Sequence, residues 1–424
     1  MNWLDELVSI HSEYEAPLSF WKWSGIASIS AVVKDNIWLP RFIYDLYPNI
    51  YVMFHADSGL KKGPPVSMAH KLVDAVNNTY IISGRSSVQG ILKEMGTAKT
   101  EPGGKIASAR TVFICSSELT SSIVEDKVAM DILTDLYDRQ YRVGHWRSLL
   151  KMETFDIKNP TVTMLGATNE AHSNEYFTKK DVQGGYFART FIIYERERNR
   201  KNSLAVPPKV IPDYKQFSEH LKRLAQLKGK FQLIGSREQN DIWPLARKDS
   251  ITGETFYYTE AGHIYEEWYD EHISAMDAQT VKDDTGTMNR FGDSVLKVAM
   301  LLALSKKAEL IIDPESMKEA ILICEKLIGS IRHTTMGHGM ALNSPLKTLI
   351  MMELLEREPH QISRAMLMKK MWMHYSSATE FDEMMAGFDQ AGMIKAESRS
   401  NQIIFTMPEQ QVLELKKYFA GKIR

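Results

Sequence analysis

Between Ile50 and Tyr194 the chain alternates short runs of β-branched and apolar residues with segments of helical periodicity, which constrains its fold more than any other feature. The runs are Ile50 to His55, Tyr80 to Ser83, Thr111 to Cys115, Thr161 to Leu165 and Phe191 to Tyr194. The helical segments are Val66 to Val76, Val88 to Met95 and one ending near Tyr137. Strands separated by helices pair in parallel, so the pattern predicts an α/β chain with a mostly parallel sheet and helices on both faces. That is the pattern of a mononucleotide-binding architecture.

The flanking sequence sets the domain organisation. In residues 1–45, Leu4, Leu7 and Ile10, then Phe20, Trp23, Ile26, Ile29 and Val32, recur at helical spacing and predict two helices. Gly25, Ala27 and Ala31 on the second imply close packing against a neighbour. The sheet core occupies 46–195. Residues 196–255 read as a basic insertion or linker, with Pro207, Pro208 and Pro212 and one helix from Tyr214 to Leu227. A helical lid is expected over 256–335. Residues 345–424 read as three short helices (Leu346 to Glu356, Ser363 to Met371, Ala378 to Ala391) and a hairpin (Met393 to Ala396, Ile403 to Met407), the winged-helix order.

Composition removes several alternatives. Of 424 residues 44% are hydrophobic, which excludes a disordered chain, and two cysteines, Cys115 and Cys324, exclude a disulfide scaffold. The acidic start Met-Asn-Trp-Leu-Asp-Glu-Leu does not read as a signal peptide, and both cysteines sit in apolar runs, so a cytoplasmic location is expected. The longest apolar stretch, Val295 to Leu304, contains Lys297 and falls short of the ~18 residues of a membrane span. No histidine pairing suggests zinc. With 52 basic side chains against 53 acidic ones, any nucleic-acid surface must be local. The first candidate is the basic run Arg196, Arg198, Arg200, Lys201, Lys209, Lys215, Lys222, Arg223, Lys228 and Lys230, although a solvated surface insertion is the favoured reading of it. A second is Asp138-Arg-Gln-Tyr-Arg-Val-Gly-His-Trp-Arg, either a strand-contacting loop or a core hairpin.

Chemistry is expected at the ends of the runs. Ile50-Tyr-Val-Met-Phe-His-Ala-Asp-Ser-Gly-Leu-Lys-Lys-Gly-Pro-Pro joins a strand to a helix through a loop with glycine and lysine. Such a loop cradles phosphate with backbone N–H groups at a helix N-terminus, while a lysine neutralises the terminal phosphates. Ser58, Gly59, Lys61, Lys62 and Gly63 are the candidate binding residues, and Gly63 stands where a Mg²⁺-binding hydroxyl is usual, leaving Ser67 or Asp57 to help. Thr111-Val-Phe-Ile-Cys-Ser-Ser-Glu-Leu places Glu118 to polarise an attacking water, with Ser117 and Glu118 as candidate metal ligands; Glu118 also fits a helix-capping acid. The fourth run leads to Thr168 and Asn169, which would orient the water or simply make a turn. Gly184-Gly-Tyr-Phe-Ala-Arg puts Arg189 before the last strand, as a fixed cation or a finger for a neighbouring subunit.

In this order the motifs resemble a family of P-loop ATPases of phages and mobile elements described as primase-helicase-like. Leu46-Tyr-Pro-Asn-Ile-Tyr-Val, Ser58-Gly-Leu-Lys-Lys-Gly and Ser116-Ser-Glu-Leu carry the resemblance from about Trp21 to Ile331, and Pro64 departs from it. A more distant similarity is to AAA+ helicases of the minichromosome-maintenance kind. It implies Asn169 as first sensor, Arg189 as trans-acting finger and Arg290 as second sensor beside ATP. Together these imply an AAA+/RecA-like P-loop NTPase fold, ATP and Mg²⁺ as cofactors, a hexameric ring, and single-stranded DNA as partner. The activity implied is that of a replicative helicase. The alternative is a degenerate ATPase acting as an initiator, helicase loader or DNA-bound scaffold. The winged helix carries Glu380, Asp382, Glu383 and Asp389 and a methionine stripe, which leans toward protein contact, as with a replication protein, or weak DNA contact.

Overall fold

The computed structural model describes residues 2–41, 44–84, 86–96, 98–100, 106–108, 110–119, 127–138, 145–150, 153–169, 185–201, 212–235, 245–248, 253, 255–277, 287–335, 344–355, 357–371, 377–390, 392–399 and 402–413. Arg142, Gly184, Pro207, Pro208, Lys209 and Met373 lie outside them. The chain divides into two compact units, Met1–His338 and Gly339–Arg424.

In the first unit α1 (Trp3–Ser9) and α2 (Leu18–Val33) precede a short ribbon, β1 (Ile37–Arg41) and β2 (Tyr44–Leu46). Then come β3 (Tyr51–His55), α3 (Gly63–Val76), β4 (Tyr80–Ile82), α4 (Val88–Gly96), β5 (Ala98–Thr100), β6 (Ile106–Ser108), β7 (Thr111–Ser116) and α5 (Lys127–Asp138). The hairpin β8 (His145–Leu150) and β9 (Glu153–Lys158) leads into β10 (Thr161–Thr168) and β11 (Thr190–Tyr194). Five strands form one parallel sheet in the order β11-β3-β10-β7-β4, and they are the five expected from the sequence.

Strand side chains alternate between the two faces, and here both faces are covered. Val52, Phe54, Phe113, Cys115, Leu165, Ala167, Phe191 and Ile193 enter one core with α2 and α3. Tyr51, Met53, Val112, Ile114, Val162, Met164 and Ile192 enter the other with α4 and α5. The chain crosses from β3 to the far edge strand β4 and then steps back through β7 to β10. Right-handed crossovers therefore put α3 on one face and α4 and α5 on the other. The direction of winding reverses between β3 and β10.

The helix α2 is buried almost all round, and α1 lies across it at Gly25, where a Cβ would stand 2.6 Å from Leu4. This is the close packing its small residues imply. After β11 follow α6 (Tyr214–Leu224), β12 (Gly229–Lys230), β13 (Ile234–Gly235), β14 (Leu245–Lys248), β15 (Thr255–Tyr258), α7 (Glu260–Asp277), α8 (Thr287–Lys306) and α9 (Pro314–Thr335). Insertion and lid share the main core: Phe217, Leu221 and Leu224 of α6 and the run Val295 to Leu304 of α8 pack with α2 and α3. The four expected segments of this region are thus one compact unit. The ribbon pairings β1–β2, β13–β15 and β14–β15 were not expected from the sequence. Of the two readings of the segment from Asp138 to Arg147, its described end is the core hairpin: Trp146 and Ile157 are buried under α4 and α5.

The second unit contains α10 (Ser344–Leu355), β16 (Gln361–Ser363), α11 (Arg364–Met371), α12 (Ala378–Gln390), β17 (Lys395–Arg399) and β18 (Gln402–Thr406), with an antiparallel sheet β16-β18-β17. The three helices lie within two residues of the expected ranges, the first hairpin arm begins two residues later than expected, and β16 was not expected. Met371, Met384 and Met385 of the methionine stripe pack with Phe381, Phe388 and Phe405 in the core, Met368 packs against them partly buried, and Met366 is exposed. Arg364 grips the exposed Asp382 through two bonds of 2.6 and 2.7 Å. Among the described residues no helix is long and apolar enough to cross a membrane.

Candidate functional site

In open α/β sheets the crevice for ligands lies at the carboxyl ends of the strands, where the winding reverses. Here that point falls between β3 and β10, with β7 alongside. His55 at the end of β3 pairs with Thr168 at the end of β10, and Ser116 at the end of β7 pairs with Gly166. The sheet thus brings together the glycine- and lysine-bearing loop, the Thr168–Asn169 turn and the segment carrying Ser117 and Glu118.

The loop from Ala56 to Lys62 leaves β3 through a turn in which the Leu60 N–H donates to the Asp57 carbonyl at 3.4 Å. Gly59 (φ +91°) and Lys61 (φ +56°) both adopt left-handed backbone, which glycine takes freely and lysine does not. The Lys62 ammonium donates back to the carbonyls of Ala56 and, at 3.1 Å, Asp57. Burial lowers the Lys62 pKa, and the charge of Asp57 acts against this. Lysine is therefore fixed at the loop's root by its own backbone.

The helix that follows supplies fewer donors than the sequence expectation required. Its first residues are Gly63, Pro64 and Pro65. Proline suits a first turn because its fixed φ is helical and that turn's N–H groups have no intrahelical partner. The same two prolines remove two N–H groups that would otherwise face an anion. Gly63 supplies no hydroxyl, and Ser58 and Ser67 are exposed.

Glu118 is held by its backbone rather than its carboxylate. The Glu118 N–H donates to Ser116 Oγ at 3.3 Å, and the Leu119 N–H donates to the Ala167 carbonyl at 3.0 Å. The chain leaving β7 therefore leans over the end of β10, and Leu119 fills the space above Gly166, where a Cβ would come within 2.0 Å. Ser117 and Glu118 remain exposed beside the half-buried Asn169. Only the tertiary structure reveals what Gly166 and Leu119 do.

The carboxyl edge also holds the start of the basic run. Tyr194 pairs with His55, and the Glu195 N–H donates to the His55 carbonyl at 3.2 Å. Arg196, Arg198, Arg200 and Lys201 follow, all exposed. Arg198 stands over the loop, its Nη2 3.8 Å from where a Cβ on Gly59 would be.

Arg189 and Arg290 lie elsewhere. Thr190 pairs with Tyr51 at the start of β3, so Arg189 is at the amino edge, about 15 Å from the loop at ~3.3 Å per residue. Its side chain is 7% exposed; Nε donates to Asp138 Oδ2 at 3.1 Å, Nη2 to the same oxygen, and Nη1 to the Gly185 carbonyl at 2.8 Å. This is the fixed-cation alternative of the two readings. Arg290, near the start of α8, donates to the same Asp138 at 3.1 Å. The resemblance implies a second sensor beside the nucleotide, and the structure instead places Arg290 at the amino edge, because α8 begins there. Burial raises the Asp138 carboxyl, but the hydrogen bond and charge of Arg189, with Arg290 and Lys297, bring its pKa below the ordinary value.

The amino edge also contains an open cavity of about 870 Å³, lined among others by Asn49, Tyr137, Asp138, Arg290, Asp293 and Lys297. Lys297 is buried on its floor, donating to the Asn49 backbone oxygen at 2.9 Å and side-chain oxygen at 3.0 Å, 3.7 Å from the Tyr137 ring centroid. Burial lowers its pKa to about 7, with Asp138 and Asp293 opposing. Tyr44 donates to Asp293 at 2.9 Å. These bonds tie α8 to β2, β3 and α5. Asp138, Arg189, Arg290, Asp293 and Lys297 of the cavity bond to protein partners, whereas the crevice carries exposed polar groups at a change of winding. The crevice is therefore the better candidate site.

Fold and site define an α/β protein with a five-stranded all-parallel sheet flanked by helices, of the Rossmann-like or P-loop-like kind. No protein-family model matches the chain, and no curated protein matches it.

Proposed function

We propose that this chain is an ATP-binding P-loop ATPase of the AAA+/RecA-like class that works on DNA as a ring-forming motor, the activity of a phage or mobile-element replicative helicase. The observation that supports this reading is the adjacency of three strand ends. The Lys62 loop, the Asn169 turn and the Glu118 segment leave β3, β10 and β7 side by side at one crevice. The loop fits a polyphosphate through its left-handed turns and the Lys62 ammonium. ATP would supply the transferable phosphoryl group, and Mg²⁺ would screen its charge. Lys62 would exchange its carbonyl partners for phosphate oxygens. Glu118 would accept the proton of the attacking water, Asn169 would orient that water, and Ser117 and Glu118 would face the metal.

The order of helices and hairpin in Gly339–Arg424 supports a winged-helix module. With Asp382, Glu383 and Asp389 exposed on α12, it suits a replication protein better than a DNA groove. Single-stranded DNA would meet the exposed basic side chains from Arg196 to Lys230.

The assay is ATP turnover with and without single-stranded DNA. Turnover that DNA stimulates, and that Lys62→Ala and Glu118→Gln abolish, is expected; absence of nucleotide binding at millimolar ATP overturns the reading. Gly63, Pro64 and Pro65 favour a second reading, a degenerate site that binds nucleotide for assembly, as in an initiator, helicase loader or scaffold. It predicts nucleotide-dependent assembly without strand separation, so an unwinding assay separates the two.

A further inference from the structure

Two exposed cations stand at the crest of the phosphate-loop candidate, and one carboxylate faces both. Lys61 Nζ lies 3.8 Å from Glu15 Oε2, and Arg198 Nη1 lies 3.2 Å from Glu15 Oε1. Lys61 is 50% exposed and Arg198 45%, whereas Glu15 is 19% exposed. The acid is thus the more buried member and the cations the more exposed ones.

Its segment is held in place independently of its charge. The Asn199 N–H donates to the Glu15 carbonyl at 3.0 Å, and Asn199 Nδ2 donates to the carbonyls of Ser12 and Tyr14 at 2.7 and 3.0 Å. Nearby, Ser19 Oγ donates to Glu195 at 2.6 Å, and Arg200 lies 3.8 Å from Glu13. The α1–α2 connection is therefore stapled to the chain leaving β11, and it carries Glu15 to the rim of the loop.

We propose that Glu15 is a built-in stand-in for phosphate: it neutralises Lys61 and Arg198 until a polyphosphate displaces its carboxylate and takes both cations. The proposal rests on reading the loop as a phosphate site, and it adds Arg198 and Glu15 as specificity-determining residues absent from the motif itself. Two cations confined over a loop with left-handed turns at Gly59 and Lys61 repel one another unless an anion lies between them. A carboxylate carries one charge, and a triphosphate brings more charge and more acceptor oxygens, so exchange favours the nucleotide. Because these are surface pairs, each contributes little, and the competitor weakens binding only modestly. The exchange also makes affinity sensitive to ionic strength.

The experiment titrates the full chain with inorganic tripolyphosphate and with ATP at low and high salt, in wild type, Lys62→Ala, Glu15→Gln, Arg198→Gln and the Glu15→Gln/Arg198→Gln double variant. Glu15→Gln is expected to bind both probes about fivefold more tightly, Arg198→Gln more weakly, and the double variant to lose most of the gain. Circular dichroism and melting check that Glu15→Gln keeps the fold, as its backbone bonds to Asn199 imply. Unchanged or weaker binding by Glu15→Gln, while wild type binds and Lys62→Ala does not, overturns the proposal and leaves the nucleotide reading standing. Failure of wild type and every variant to bind either probe overturns both.

Discussion

Lys297 and Asn49, far apart in sequence, form a polar joint between the helical part of the first unit and its sheet: one ammonium donates to both oxygens of one asparagine, at 2.9 and 3.0 Å. The helix α8 is otherwise apolar here, from Val295 to Leu304. Its one charge is buried where β3 begins, and burial holds its pKa near 7.

This sets a pH dependence. Between about pH 7 and the ordinary lysine range, the unfolded chain binds a proton at Lys297 that the folded chain lacks. Stability from this group therefore rises with pH through that window, by at most about 1.4 kcal/mol per unit, and is lost as pH falls through 7. Chemical denaturation at pH 6, 8 and 9.5 should show the rise in wild type. Lys297→Met, which leaves both Asn49 oxygens without this donor, should be less stable and should flatten the slope.

Asp138 is the hub of the amino edge. Removing it leaves the buried Arg189 without its anion, so Asp138→Ala should cost about 3–5 kcal/mol in denaturant titration. The Asp138→Ala/Arg189→Ala double variant should lose less than the sum of the two singles. Arg189→Ala should lower the melting temperature as well as any turnover. If it abolishes turnover with no loss of stability, the fixed-cation role fails.

Gly166 aims the chain that carries Glu118. A Cβ there would displace Leu119, so Gly166→Ala should cost about 1–3 kcal/mol and lower turnover more than ATP affinity. A steady-state assay that finds kcat unchanged would show that Glu118 is positioned by something else.

The first turn of α3 has room for the hydroxyl it lacks, because a Cβ on Gly63 meets nothing within 4 Å. Gly63→Thr should leave stability within about 0.5 kcal/mol of wild type. It should tighten Mg²⁺-dependent ATP binding about tenfold, ~1.4 kcal/mol, as read by titration with and without the metal. Equal affinity in both conditions would mean that no metal sits beside this residue.

Much of the fold is legible in the chain. The five strands and the helices α3, α4 and α5 were evident because buried runs and helical periodicity are local signals. The same holds for α2, whose apolar spacing and small residues predict a closely packed helix. The ribbons β1–β2 and β13–β15 were not legible, since short strands with mixed residues gain their pairing from partners distant in sequence.

The candidate site divides along the same line. Loop glycine and lysines, Glu118 and Asn169 could be named because each follows a strand, and parallel strands deliver such residues to one edge. Arg290 could not be placed, because which end of the sheet α8 starts from is not written in its periodicity. Arg198 was visible only as a member of a basic run, and Glu15 carried no signal in the sequence.

By itself, then, the sequence determined the element order, the two-sided burial of the sheet and the residues that strand ends carry, because these depend on neighbours a few positions away. Only the tertiary structure decided which charges meet. Asp138 gathers Arg189 and Arg290, Asn49 receives Lys297, and Glu15 stands between Lys61 and Arg198. Charge pairing is fixed by distances between segments far apart in the chain, and packing sets those distances.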